Sequence, residues 1–302
     1  MSFVHVHPDD QSWGHFYATG GDGGKIHYIR QGKGQPVLLL HGWPGFWYDW
    51  RRVIPELAKY ADVIAPDFRG FGDSDKPDRP AAETYTPQTF TEDMVALLDQ
   101  LGIEKTIVVA HDIGATVAQY MARTIPDRID SLVLLNPPYP GIGARRFEPS
   151  AQKECWYQHL HNLPWSDQMI GYNRDTVRLY LSHFYDHWVG RKEAILPDEL
   201  NAIIDKYSRP GAIRSSIAYY RARSSMRGKE AESSPQSIII QQPTIVLWGE
   251  ADPVIPSVWS DRLHEYFSDL TLHLLPGVGH FVPIESPLEV IEAVRNMMSR
   301  TN

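Results

Sequence analysis

The chain has 302 residues, 42% of them hydrophobic and 22% charged, which is ordinary globular usage and enough length to bury a large core without staples. Its 29 Lys and Arg stand against 37 Asp and Glu, a net charge of −8 with no basic block, which speaks against nucleic acid or an anionic membrane as partner. Cys155 is the only cysteine, the start Met1-Ser2-Phe3-Val4-His5 lacks a signal-peptide pattern, and no apolar run nears the ~20 residues of a membrane span, so a cytoplasmic chain is expected.

Residues 16–18 and 25–29 flank Gly20-Gly21-Asp22-Gly23-Gly24 and read as a hairpin; no helix follows the glycines, which argues against a phosphate cradle. Short β-rich runs follow at 36–40, 62–65, 106–110, 131–135, 244–248 and 270–275. They are near-continuous Val, Ile and Leu, the pattern of strands buried on both faces of a parallel sheet. Amphipathic stretches at 87–101, 114–124 and 287–299 read as the helices between and after them. From about Tyr139 to Glu232 the rhythm stops, and the chain is helical, aromatic and strand-free until Pro243. The expected fold is α/β, with a mostly parallel central sheet and helices on both faces. Its core is residues 1–138 and 234–302, with 139–233 an inserted all-helical cap over the sheet's carboxyl edge and 233–237 a polar linker.

Four segments sit at carboxyl ends of expected strands: His41-Gly42-Trp43-Pro44, His111-Asp112-Ile113-Gly114, Gly249-Glu250-Ala251-Asp252 and Gly277-Val278-Gly279-His280. The second is a strand–turn–helix bend with Asp112 where a nucleophile would stand and small residues behind it. Asp before a helix is also a good N-cap, so Asp112 alone does not decide between the two roles. The gathering of these segments on one edge of the sheet, in the order nucleophile, acid, histidine, favours the first role.

With these motifs the sequence resembles the α/β-hydrolase superfamily over nearly its full length. Within it, the chain is similar to the aspartate-nucleophile branch of epoxide hydrolases, haloalkane dehalogenases and fluoroacetate dehalogenases. The resemblance implies an alkyl–enzyme ester on Asp112, hydrolysed by water that His280 activates while Asp252 orients the imidazole. Backbone N–H groups of Trp43 and Ile113 would form the oxyanion hole, and the Trp43–Pro44 bond would be cis. Asn136, at the end of the strand before the cap, carries no charge to offset an imidazolium, which leaves Asp252 as the acid ahead of Glu250. Glu285 reads as a helix-start residue before Pro287.

An epoxide needs an acid for its departing oxygen. Tyr219-Tyr220-Arg221-Ala222 and Trp156-Tyr157-Gln158 resemble the cap tyrosine motifs of epoxide hydrolases, with Tyr220 and Tyr157 in the donor positions. The alternative, a haloalkane or haloacid dehalogenase, loses its halide-holding tryptophan and its carboxylate-holding arginines, because Ile113 and Thr116 occupy those places. The motifs around Asp112 and Tyr220 also resemble the bacterial Cif-type epoxide hydrolases, which pair His with Tyr where this chain pairs Tyr157 with Tyr220. The expected partners are a small hydrophobic epoxide and water, with a homodimer left open. His41, Phe46, Trp47, Trp156, Phe281 and Val282 are expected to line the pocket. His183 and His187 share a helix face, but Phe184 stands where a metalloprotease glutamate would be, so no metal site is expected. No cofactor is implied, since nucleophile, base and acid all lie in the chain.

Overall fold

The computed structural model describes residues 6–230 and 239–301, so the expected linker at 233–237 lies outside the described residues. Strands β1 (His15–Thr19), β2 (Lys25–Gly32), β3 (Gln35–Leu40), β4 (Ala61–Pro66), β5 (Thr106–His111), β6 (Ile129–Leu135), β7 (Thr244–Gly249) and β8 (Leu270–Leu275) form one sheet in the order β1-β2-β4-β3-β5-β6-β7-β8. The pairs β1–β2 and β2–β4 are antiparallel, and all other pairings are parallel. The order sets β3, β5, β6 and β7 side by side inside the sheet.

Those central strands are the near-continuous apolar runs, and Leu38, Leu39, Leu40, Val108 and Val109 are fully buried. Each such side chain contributes about 1.5–3 kcal/mol of burial free energy. β8 departs from the pattern expected of it. It is the last strand on its edge, and four of its six residues are exposed.

Seven helices matter for the site: α1 (Pro87–Gln100), α2 (Ile113–Thr124), α3 (Trp156–His161), α4 (Arg174–His187), α5 (Pro197–Tyr207), α6 (Ala212–Glu230) and α7 (Pro287–Thr301). Thr86 starts α1 by accepting the Thr89 N–H at 3.1 Å, with Pro87 at the first helical position, where its missing N–H costs nothing. Asn173 caps α4 in the same way through the N–H groups of Asp175 and Thr176. α2 packs on β3, β5 and β6, and α7 on β5, β6 and β7.

Helices α3 to α6 stand between β6 and β7 in the chain, and polar contacts, some of them buried, join this stretch to the sheet portion. Glu199 of α5 meets Arg51 at 2.7 Å and Arg52 at 2.9 Å. Lys206 meets Asp73 at 2.7 Å and Asp9 at 2.6 Å, and Arg209 meets Asp73 at 2.6 Å. The Tyr185 and Tyr207 hydroxyls donate to the carbonyls of Pro44 and Gly45. No helix among the described residues is long and apolar enough to cross a membrane.

Candidate active site

The bend between β5 and α2 puts Asp112 at φ 49° and ψ −113°, a left-handed conformation that costs a residue other than glycine roughly 1–3 kcal/mol. Gly114 allows the bend, because a Cβ there would strike the carbonyl oxygens of Leu40 and His41. The capping role open to Asp112 is not taken up: its side chain makes no cap hydrogen bond to α2. Instead its Oδ2 accepts the Trp43 N–H at 3.1 Å, and the Ile113 N–H also supports the carboxylate. The Trp43–Pro44 peptide is cis.

His280 follows β8 and lies against the same bend. Its Nδ1 is 2.8 Å from Asp252 Oδ2, and both side chains are buried. Asp252 is fixed in turn: its Oδ1 accepts the N–H groups of Val254 and Ile255, and its Oδ2 accepts Asn136 Nδ2 at 2.7 Å. Asn136 also donates to the carbonyls of Gly279 and His280 and accepts the Gly249 N–H at 2.8 Å. Passed over for its lack of charge, it is the hub that ties the β6, β7 and β8 loops together; its place at a strand's carboxyl end was the available signal. His111, next to Asp112 in sequence, contacts the His280 carbonyl through Nε2 at 2.8 Å.

Glu285 corrects the helix-start expectation. Its buried carboxylate accepts the N–H groups of Gly190, Arg191 and Gly279 through Oε2 and that of Phe281 through Oε1. It thereby joins the loop after α4 to the loop that carries His280, whose N–H donates to the Trp188 carbonyl at 2.8 Å.

Burial works against a charge on Asp112, and although His280 and the Trp43 and Ile113 N–H groups oppose it, the carboxyl stays above the usual carboxylate range. Burial likewise works against the His280 cation, but the charge and hydrogen bond of Asp252, with the charges of Asp112 and Glu285, outweigh it and raise the imidazole above its ordinary value. Burial, with nearby acidic groups including Asp112, pushes the phenols of Tyr157 and Tyr220 well above theirs, so both stay protonated donors.

A cleft of about 630 Å³, partly open to solvent, brings these groups together: Asp112, Ile113, Tyr157 and Tyr220 all line it. The two phenol rings are 5.5 Å apart edge to face, and Tyr157 stacks on Trp43 at 5.2 Å. Gln158 Nε2 donates to the Tyr157 hydroxyl at 3.2 Å, leaving that hydroxyl's proton free to be given elsewhere. Apolar wall comes from Ile142, Phe147, Val254, Ile255 and Trp259.

The six side chains expected to line the pocket lie elsewhere among the described residues. His41 is fully buried beneath the bend, with Nε2 accepting the Phe68 N–H and Nδ1 at the Gly42 carbonyl. Phe46 and Trp47 pack on Tyr48 in the core. Phe281 stacks on Tyr185 at 4.7 Å, Val282 is buried at the start of a short helix, and Trp156 faces outward, 39% exposed. Core and cleft wall draw on the same apolar residues, so composition could not separate them. Thr116, Arg146, Gln152 and Arg223 do line the cleft and were not anticipated.

One group of potential metal ligands occurs among the described residues, His27, Asp67 and Asp73, outside the cleft. Its ligands are already engaged: His27 Nδ1 with Asp67 at 2.7 Å, and Asp73 with Lys206 and Arg209. His183 and His187 stack at 5.4 Å, and His187 bonds Glu154 at 2.7 Å.

Residues 35–287 match the family model described as the alpha/beta hydrolase fold, and the chain belongs to that family. Within it the resemblance is to epoxide hydrolases. Human "Epoxide hydrolase 4" is 30% identical over 281 residues, covering 90% of this chain and 75% of its own length. "Soluble epoxide hydrolase" of Corynebacterium sp. (strain C12) is 30% identical over 90% of this chain and 92% of its own. Among solved structures, "Epoxide hydrolase CorEH without ligand" superposes with a TM-score of 0.83 at 29% identity, covering 95% of this chain and 99% of that one.

Proposed function

We propose that the protein opens a small hydrophobic epoxide to a vicinal diol through a covalent ester on Asp112, with helices α3 to α6 as the cap that carries the acid. The observation that carries this reading is that Asp112 and the phenols of Tyr157 and Tyr220, held protonated by burial, line one cleft. The epoxide hydrolases similar to the chain support the reaction class.

Asp112 needs no proton removed before attack, so it suits displacement at a saturated carbon. As its oxygen bonds to an oxirane carbon, the ring C–O bond breaks and the released oxygen takes a proton from Tyr157 or Tyr220. Esterification also removes the Asp112 charge, one of the charges that hold the proton on His280. The imidazole therefore becomes easier to deprotonate at the step that needs it as a base. Water gives its proton to His280 and attacks the ester carbonyl carbon. The resulting oxyanion forms against the Trp43 and Ile113 N–H groups, each worth about 3–4 kcal/mol in such a position. Collapse breaks the bond from that carbon to the alkyl oxygen, which takes the second proton of the attacking water as Asp112 returns to a carboxylate; the imidazolium gives its proton back to the tyrosinate, and the diol leaves.

Trapping tests the proposal. In His280→Gln, alkylation should proceed and hydrolysis stall, so intact-mass measurement after incubation with a simple aryl epoxide should show the protein heavier by the whole epoxide, on Asp112. A haloalkane that left an adduct lacking its halogen, with no epoxide adduct, would instead mark a dehalogenase. No adduct from either would refute the ester.

A further inference from the structure

Tyr185 of α4 and Tyr207 of α5 are buried and do not line the cleft, yet both direct their hydroxyls at the turn that carries the Trp43 N–H. The turn closes on itself, the Gly45 N–H donating to the Gly42 carbonyl at 3.1 Å. The Tyr185 hydroxyl donates to the Pro44 carbonyl at 2.8 Å, and the Tyr207 hydroxyl to that of Gly45 at 3.1 Å. Burial, with Asp49 and Tyr207 close by, pushes the Tyr185 phenol well above its ordinary value, so it stays a donor.

The two hydroxyl bonds lead to different places. The Pro44 carbonyl and the Gly45 N–H belong to one peptide unit, and the Gly42 carbonyl and the Trp43 N–H to another. A continuous chain therefore runs from the Tyr185 O–H to the Pro44 carbonyl, from the Gly45 N–H to the Gly42 carbonyl, and from the Trp43 N–H to Asp112 Oδ2 at 3.1 Å. Each bond in such a chain polarises the peptide it enters and strengthens the next N–H as a donor, by about 10–30% per bond. His41 adds to the polarisation: its Nε2 accepts the Phe68 N–H, which leaves the proton on Nδ1, 2.8 Å from the Gly42 carbonyl. The Gly45 carbonyl that Tyr207 meets shares its peptide with the Phe46 N–H, so that bond stands off the chain.

Tyr185 also adjoins the loop of the base. Its ring stacks on Phe281, the neighbour of His280, and the Trp188 carbonyl just past α4 accepts the His280 N–H. The ring packs that loop, and only the hydroxyl enters the chain.

We propose that Tyr185 is a positioning residue for ester hydrolysis, its hydroxyl orienting and strengthening the Trp43 N–H that receives the oxyanion. This rests on the reading that an ester forms on Asp112. The Trp43 N–H bears on the two steps with opposite sign. Before alkylation it stabilises the Asp112 carboxylate and so restrains the nucleophile; during hydrolysis it stabilises the charge that develops on the ester carbonyl oxygen. A weaker donor should slow the second step and spare the first.

Rapid-quench single turnovers of styrene oxide separate the two rates. In Tyr185→Phe hydrolysis should fall about three- to tenfold, a part of the 10²–10³-fold lost when such a donor is deleted outright. Alkylation should be unchanged or faster, and intact-mass measurement during steady turnover should show more of the protein as ester than in the wild type. Tyr207→Phe removes a hydroxyl bond of the same kind from the same turn but off the chain, and its ratio of hydrolysis to alkylation should keep the wild-type value. Equal slowing of both steps in Tyr185→Phe, an unchanged ratio, or the same fall in the ratio in both variants would overturn the proposal. Tyr185→3-fluorotyrosine, with a more acidic hydroxyl that donates more strongly, should raise the ratio. A ratio left unmoved or lowered by the fluorine would overturn the proposal even if the phenylalanine variant fails to fold. In His280→Gln the ester should persist; finding none there would overturn the ester itself, a failure distinct from that of Tyr185.

Discussion

Asp252 does two things for His280: it holds Nδ1 at 2.8 Å, and it supplies a charge that keeps the imidazole's pKa raised in a buried place where it would otherwise fall. The sign of the pH effect follows. In the proposed mechanism neutral imidazole is the base, so hydrolysis of the ester should be slow at low pH and rise as pH passes the imidazole's pKa. In Asp252→Asn burial acts with less opposition, and the ascending limb should move to lower pH while the plateau falls, by about 10²–10⁴-fold for a weakened base. Single-turnover ester decay followed from pH 5 to 9 checks this; an unmoved limb would show that Asp252 does not set the proton affinity of His280. The acidic partner was legible because only a carboxylate can offset an imidazolium. Asn136 was not legible, because its value lies in four hydrogen bonds to loops far apart in the chain.

Between elements, the strongest tie from the helical segment to the sheet portion is Glu199 of α5 with Arg51 and Arg52. Glu199 and Arg51 are buried at 3% and 4% side-chain exposure. Burial opposes the Glu199 charge, yet the hydrogen bond and charge of Arg51, the Leu196 N–H and Arg52 hold its carboxyl down at about 2. A depressed carboxylate pKa contributes stability that is present above the unfolded value near 4.5 and is lost as pH falls toward 2; the full contribution is roughly 3 kcal/mol. Glu199→Gln leaves the buried Arg51 without its salt-bridge partner and should cost about 3–5 kcal/mol at pH 7. Urea unfolding should show that gap at pH 7 and a narrower one at pH 3. Equal stability of the two proteins at pH 7 would remove this ion pair from the account. No sequence pattern announces such a pair, since Arg51 and Glu199 are 148 positions apart.

Across the whole molecule, the parallel middle of the sheet and the long strand-free stretch after Asn136 were readable, because burial on both faces demands continuous Val, Ile and Leu while a helical segment cannot supply it. Most of the strands found extend the expected runs by a residue or two, as 129–135 does for 131–135, while 270–275 matches its run and 25–32 exceeds its run by three. Which aromatic residues face the cleft was not readable: Phe46, Trp47 and Phe281 serve the core with the same side chains that would serve a pocket. The molecule as a whole makes sense as a device that presents one carboxylate, at a strained bend, to a cavity lined by three phenols and two guanidiniums.

A single turnover of a simple epoxide by excess enzyme in water enriched in heavy oxygen examines that presentation most directly. The peptide carrying Asp112 should gain one heavy oxygen, and the first diol released should contain none. Heavy oxygen in that diol, with the peptide unlabelled, would mean that water attacks the epoxide itself and that Asp112 never bonds to carbon.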